Sequence, residues 1–269
     1  MDCLIENLDP GLLFPLVQKY VLIKKSNSIQ EELFDFKTTG NVFLVFLYKG
    51  AITLKYKKRA QSLEPDCYII GQVYREKIQI CFHEKTEVIL IELNPVALSH
   101  LVKEPLVSFT NKVIPIYLLG TKVLINEIAE INELKLKIKL ISGFLKIQLP
   151  FHKITSDNVF KLTKWIYRQD EKIKVDQIAD YLHCCERQVE RVFQNKIGVS
   201  PKFYLKCVQM RQIINMVMDK GDKPLIDIIY EKGHYDAPHF HKDFKRIMNM
   251  TPLEFLKEES TFSKNIMRF

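Results

Sequence analysis

The chain has 269 residues, 47% of them apolar, with six cysteines and a formal charge of +8. That length suits two domains rather than one, and no apolar run reaches the roughly 18 residues of a membrane span. Cys3, Cys67, Cys81, Cys184, Cys185 and Cys207 are scattered without zinc-like spacing, and the N-terminus lacks the pattern of a secretory signal. The expectation is a cytoplasmic protein with reduced thiols, no metal, no cofactor and no membrane partner.

The first 150 residues read as a small antiparallel β-barrel with helices. Val42 to Tyr48 is a short apolar run, Ala51 to Tyr56 alternates after Gly50, and Tyr68 to Ile70 ends at Gly71. Ile78 to Phe82 and Val88 to Leu93 complete the set, with Pro95 as a stop. Val96 to Val102 then reads as a short helix. Thr121 to Leu149 reads as one long helix, broken or bent near Gly143, with a stripe of Val123, Leu124, Ile128, Ile131, Leu134, Ile138 and Ile141. That stripe serves either as intramolecular core or as the face of a homodimer. Pro150 and His152 to Ser156 read as the linker, giving domains at 1–150 and 151–269. His83 and His100 sit in different elements, which argues against a metal-holding barrel and against catalysis.

Residues 175 to 204 recur at a constant offset of 51. Val175 answers to Ile226, Ile178 to Ile229, His183 to His234, Val189 to Phe240, Arg191 to Lys242, Phe193 to Phe244, Pro201 to Pro252 and Tyr204 to Phe255. A unit of about thirty residues is too small for its own core, so two copies should pack around a shared spacer. In each copy, apolar residues at helical spacing are interrupted by a short turn and then resume. Val175, Ile178, Ala179 and Leu182 precede Val189, Val192 and Phe193; Ile226 and Ile229 precede Phe240, Phe244 and Ile247. Gly233 marks the second turn, Asp236 suits an N-cap and Pro238 suits a first helical turn. Gly198 and Asn249 suit left-handed C-terminal positions, and Ser200-Pro201 and Thr251-Pro252 each start another helix. Met210, Ile213, Ile214 and Val217 mark a connecting helix from Lys202 to about Lys220, ending at Gly221, with Pro224 opening the next segment.

A helix-turn-helix sets its second helix in the DNA major groove. Arg187 and Arg191 can donate to guanine, Gln188 can pair with adenine, and Glu190 can accept from cytosine. His239, His241 and Lys242 take the corresponding face in the second copy. Lys196, Lys202, Lys206, Lys245 and Arg246 lie near the module ends as phosphate contacts. Residues 151–269 hold 21 Lys and Arg against 16 Asp and Glu, while residues 1–150 hold 19 against 16, so the basic excess favours the shorter half.

Residues 157 to 258 resemble the DNA-binding domain of the AraC/XylS family of bacterial transcription regulators. The resemblance is carried by Ile178 to Leu182, Arg187, Val189, Arg191, Phe193, Gly198 to Pro201 and Tyr204. In the second copy it is carried by Ile228-Ile229, Gly233, Asp236, His239-Phe240, Phe244-Lys245 and Thr251-Pro252. It implies seven helices, with one long helix joining two helix-turn-helix modules. Three positions depart from the pattern: Cys185 where a capping Ser is usual, His234 where Phe is usual, and Asn249 where Gly is usual. The first half is similar to cupin-like sensor domains, through Tyr68 to Gln72, Val88 to Pro95, Leu98, Leu101, Pro105-Leu106 and Val113 to Ile116.

The fold class expected is therefore α+β, with a cupin-like N-terminal barrel and an all-α C-terminal domain. The expected function is sequence-specific DNA-binding transcription regulation, with double-stranded DNA and RNA polymerase as partners. The first domain is expected to regulate or oligomerise, with a small-molecule effector in the barrel as one reading. A helical adaptor that binds protein is the alternative. A DNA-repair methyltransferase is disfavoured because Cys67 lacks a Pro-Cys-His setting. Cys184-Cys185 beside His183 read as half-buried side chains rather than a redox switch or metal site.

Overall fold

The computed structural model describes residues 3–9, 11–26, 33–169, 171–219, 225–231, 237–257 and 266–267. Strands β1 (Cys3–Leu8), β2 (Val17–Lys25), β3 (Leu33–Phe36), β4 (Val42–Lys49) and β5 (Ile52–Lys55) come first. Strands β6 (Ala60–Leu63), β7 (Asp66–Ile70), β8 (Ile78–Phe82), β9 (Glu87–Leu93) and β10 (Val113–Pro115) follow. They form a six-stranded sheet, ordered β1-β2-β9-β4-β7-β10, and a four-stranded sheet, ordered β3-β8-β5-β6. The pairings are antiparallel.

The central strands β2, β9, β4 and β7 of the larger sheet are buried on both faces, which explains why β4 and β9 read as continuous apolar runs. Side chains alternate with a period of two. Val21, Ile23, Phe43, Val45, Leu47, Val88 and Leu90 point between the sheets, where they meet Phe34, Phe36 and Phe82. Tyr20, Leu22, Leu44, Phe46, Ile89 and Ile91 point the other way, into a second core that runs without a break to Ile178, Phe193 and Phe244. The space between the sheets is thus filled by packed rings, with Phe34 and Phe82 centred 5.6 Å apart and Phe36 and Phe43 5.1 Å apart.

Helices α1 (Pro95–Ser99), α2 (Thr121–Glu130), α3 (Leu134–Gln148) and α4 (Phe151–Ser156) adjoin the sheets. The single helix expected over 121–149 is two helices. Ile131 takes an extended conformation (φ −81°, ψ 134°) and ends α2, whereas Gly143 lies inside α3. Ile128 and Ile141 are fully buried, while Ile131, Leu134 and Ile138 are half-buried. The break lets two short helices each turn an apolar edge onto the sheet. The segment expected as a linker, 152–156, is the body of α4.

Among the described residues seven further helices follow: α5 (Asn158–Tyr167), α6 (Val175–Leu182), α7 (Glu186–Lys196), α8 (Pro201–Asp219), α9 (Leu225–Glu231), α10 (Ala237–Met248) and α11 (Pro252–Lys257). The number and the long connector α8 match what the family resemblance implies. Ile266 and Met267 return to the first domain. Ile266 is fully buried within the core between the sheets, and its carbonyl accepts from Lys19 Nζ at 3.1 Å. The Met267 carbonyl accepts from Arg211 Nε at 2.9 Å and from Asn215 Nδ2 at 3.2 Å.

Candidate nucleic-acid interface

The first module is α6, a left-handed turn at His183 (φ 50°), and α7. Val189 and Phe193 are fully buried, and the Phe193 ring meets the Tyr204 ring of α8 at 5.7 Å. The opposite face of α7 leaves Arg187, Gln188 and Arg191 exposed and Glu190 half-buried. Cys185 stands at the N-cap, where its backbone N–H donates to Gln188 Oε1 at 3.1 Å. The Gln188 side chain thus makes the reciprocal half of a capping box, which ties up one of the two atoms it needs to pair with adenine.

The second module is α9 and α10. Ile228 and Ile229 are buried and Ile226 is exposed, so the apolar stripe of α9 is shifted from the one expected. Phe240, Phe244 and Ile247 are buried, as expected. His241, Lys242, Lys245 and Arg246 are exposed. His239 falls within α10, but its side chain lies outside those described. Gly221, Pro224, Gly233, His234 and Asp236 also lie outside the described residues. The two copies bury and expose matching positions: Val189 with Phe240, Phe193 with Phe244, Arg191 with Lys242.

Both terminators are built as the sequence suggests. Gly198 and Asn249 have positive φ, 94° and 59°. A side chain at Gly198 would also place its Cβ 3.0 Å from the Leu106 carbonyl oxygen. Helix α11 opens with reciprocal capping, in which Thr251 Oγ1 accepts from the Glu254 N–H and Glu254 Oε2 from the Thr251 N–H.

The phosphate-contact candidates divide. Lys202, Lys245 and Arg246 are exposed. Lys196 instead ion-pairs with Asp157, which caps α5 through the Val159 N–H at 2.8 Å and lies 3.3 Å from His100 Nε2. Burial raises the Asp157 pKa, but the hydrogen bond and charge of Lys196 outweigh it and hold the carboxyl below its ordinary value. Lys206 ion-pairs with the buried Asp243 of α10, and Arg246 donates to the same carboxylate at 2.6 Å.

A buried charge cluster was invisible in the sequence. Glu92 of β9 accepts both guanidinium arms of Arg211 of α8 and also Asn41 Nδ2 at 2.9 Å, with Lys19 Nζ 3.6 Å away. Glu92 and Arg211 are fully buried. Their positions, 119 residues apart, share no motif; only an ionisable residue inside an apolar strand, Glu92 within Val88–Leu93, gave a signal. Among the described residues no cluster of His, Cys, Asp and Glu could hold a metal ion, and no helix is long and apolar enough to cross a membrane.

Residues 178–258 match the model of a helix-turn-helix domain. Relatives include the HTH-type transcriptional regulator GbdR of Pseudomonas aeruginosa, 29% identical over 86 residues, which are 31% of this chain and 22% of GbdR. The HTH-type transcriptional activator RhaS of Yersinia pestis is 27% identical over 95 residues, 35% of this chain and 34% of RhaS. An HTH-type regulator of Bacillus subtilis, YisR, is 31% identical over 88 residues, 32% of this chain and 30% of YisR. The chain thus spans about a third or less of the length of these relatives. Among solved structures, an apo variant of ToxT from Vibrio cholerae superposes with a TM-score of 0.50 at 14% identity, covering 97% of this chain and 98% of that one. That likeness extends the two-domain fold over the whole molecule. Residues 178–258 are therefore a helix-turn-helix domain. Its named relatives are transcriptional regulators.

Proposed function

We propose that the protein is a sequence-specific DNA-binding transcription regulator whose α7 and α10 enter successive major grooves. The observation that carries this reading is the matched pattern of the two modules, which bury Val189/Phe240 and Phe193/Phe244 while exposing Arg191 and Lys242 at one register. Arg187, Gln188, Glu190 and Arg191 are assigned to one set of base edges, and His239, His241 and Lys242 to the next, about 34 Å along the duplex. Lys202, Lys245 and Arg246 are assigned to phosphates. Lys196 and Lys206 are assigned to intramolecular bracing, because each is partly buried against a carboxylate, whereas Arg246 pairs with Asp243 but keeps 46% of its side chain exposed.

Regulation is assigned to the domain junction. The space between the sheets is occupied by side chains, so an effector is placed instead in a cavity of about 470 Å3 that both halves line, through Phe14, Gln18, Lys19 and Asn94 on one side and Lys164, Tyr167 and Arg168 on the other. A homodimer is assigned to the face carrying Tyr117, Leu119, Val123 and Ile147, which are 77, 92, 61 and 83% exposed. Exposed apolar side chains grouped in this way mark interaction sites. RNA polymerase is the partner this function requires.

Selection from a randomised duplex pool with the full chain tests the reading. Two base blocks one helical turn apart are expected. Binding that follows salt alone, with no enriched sequence, would favour an adaptor that engages protein.

A further inference from the structure

We infer that the N-terminal domain itself carries part of the DNA-binding surface, in which Lys57, Lys58, Arg59, Arg75 and Lys112 hold the phosphate backbone beside the segment read by α7. This rests on the DNA-binding reading above and extends it to a half of the molecule outside the helix-turn-helix domain.

The five cations stand on one frame. The β5–β6 hairpin closes with the Tyr56 N–H donating to the Arg59 carbonyl at 2.8 Å, which puts Lys57, Lys58 and Arg59 at its exposed tip. The Arg59 guanidinium lies 4.2 Å from the centre of the Tyr56 ring, so its direction is set by packing. Lys57, Lys58, Arg59 and Lys112 line one shallow cavity of about 330 Å3, where Glu76 is the single carboxylate. Asn111 ties this cavity to Arg75: its Oδ1 accepts from the Tyr74 N–H at 2.7 Å, and its Nδ2 donates to the Tyr74 carbonyl at 2.9 Å. The Arg75 guanidinium then stands 5.0 Å from the Tyr74 ring centre.

That frame is bolted to the end of the first module. The Tyr74 ring meets the Phe203 ring of α8 edge-on at 4.6 Å, and Thr110 Oγ1 donates to the carbonyl of Gly198, in the turn that follows α7. Phe203 follows the exposed Lys202, which shares a groove of about 420 Å3 with Lys172 and Lys174 at the entry to α6, where Glu171 is the carboxylate. Cations therefore run from the entry of the module, past its connector, to the hairpin tip. A helix of 11 residues is only ~16 Å long, so a duplex seated on α7 extends beyond the module at both ends.

The charge pattern selects the partner. Lys196 and Lys206 face carboxylates. Among the described residues the five cations of the frame form no ion pair. Five exposed positive charges on one frame, with Glu76 as the carboxylate among them, suit a polymer that presents one negative charge per ~1.7 Å of duplex axis. Contacts from these side chains to the phosphates position the duplex and leave base reading to the helices.

The test uses the full chain, a selected duplex with long flanks and the same duplex trimmed to the central blocks. The triple variant Lys57→Ala/Lys58→Ala/Arg59→Ala is compared with Lys135→Ala/Lys139→Ala, whose lysines are exposed on α3. On the long duplex the triple variant is expected to lower the slope of log K against log salt by up to about 2.7, at ~0.9 per phosphate contact, and the control to leave it unchanged. Base preference should stay as it was, and backbone protection should shorten on one flank only. An unchanged slope with the triple variant, or an equal fall with the control, overturns the inference and leaves the patch to an acidic protein partner. Loss of sequence selection by the unmutated chain would instead count against the module reading, so the two failures are distinguishable.

Discussion

Arg211 of α8 reaches both oxygens of Glu92 across the boundary between the β-domain and the helical domain, and neither side chain is accessible to solvent. Removing one partner from such a pair strands a charge in a low-dielectric site, at about 3–5 kcal/mol. Arg211→Met is therefore expected to destabilise the whole chain by that order in urea melts monitored by circular dichroism. Because the pair joins two domains that share one core, a single unfolding transition should shift rather than split. A variant in which only one of two transitions moves would contradict that coupling.

The same pair gives a pH dependence. Burial raises the Glu92 pKa, but Arg211 and Lys19 more than reverse this, so the folded value lies below the ordinary 4.5. Asp157 is likewise lowered, from 3.8. Groups with depressed folded values contribute stability that is present above their unfolded pKa and lost as pH falls through the folded one. Stability should hold at neutral pH and fall progressively below about pH 4.5. In Glu92→Gln that acid-side loss should be smaller. An identical acid limb in wild type and Glu92→Gln, measured by chemical denaturation from pH 3 to 7, would remove Glu92 from the account.

Gly198 makes two demands, a positive φ and close approach to the Leu106 carbonyl. Gly198→Ala should cost at least the roughly 1–2 kcal/mol of a left-handed L-residue. The measurable sign is a lower melting temperature together with faster proteolysis at the turn after α7.

Arg191 and Lys196 lie on one helix but should behave differently. Arg191→Ala should relax base preference at one position, by ~1–3 kcal/mol of discrimination. Lys196→Ala should leave preference and salt slope nearly unchanged and lower stability by about 1 kcal/mol, since it removes a partly exposed charged hydrogen bond to Asp157. Titrations on matched and scrambled duplexes across salt separate the two; a salt slope that falls in Lys196→Ala would return Lys196 to the phosphate contacts.

Leu119→Glu/Ile147→Lys, placed on the exposed apolar face, should leave the fold intact. It should turn a dimer into a monomer in sedimentation at micromolar concentration. A wild-type chain already monomeric under those conditions would retire the dimer assignment.

Much of this was legible from residue pattern. The exposed face of α7 followed from helical spacing, because Val189 and Phe193 lie opposite Arg187 and Arg191, and five strands between residues 42 and 93 followed from their apolar runs. Strand β2 was missed because Lys19, Lys24 and Lys25 interrupt Val17–Lys25, although Lys19 and Lys25 are buried. Their burial depends on distant partners such as Glu92, which no local window contains. The break at Ile131 was misplaced to Gly143 because helix propensity favours the more obvious breaker, while the sheet beneath decides where the helix must turn. Lys196 and Lys206 looked like surface cations for the same reason: Asp157 and Asp243 are 39 and 37 residues away.

Ile266 is buried in the core between the sheets, the core that also holds Val21, Ile23 and Phe43. A ribosome makes those residues more than two hundred positions before it makes Ile266. The first domain emerges early, yet its core stays one side chain short until nearly everything after it has been translated. Lys19 and Arg211 must likewise wait for the carbonyls of residues 266 and 267. The helical half is thus made before the β-domain is finished, and a nascent chain should acquire protease resistance late and in one step.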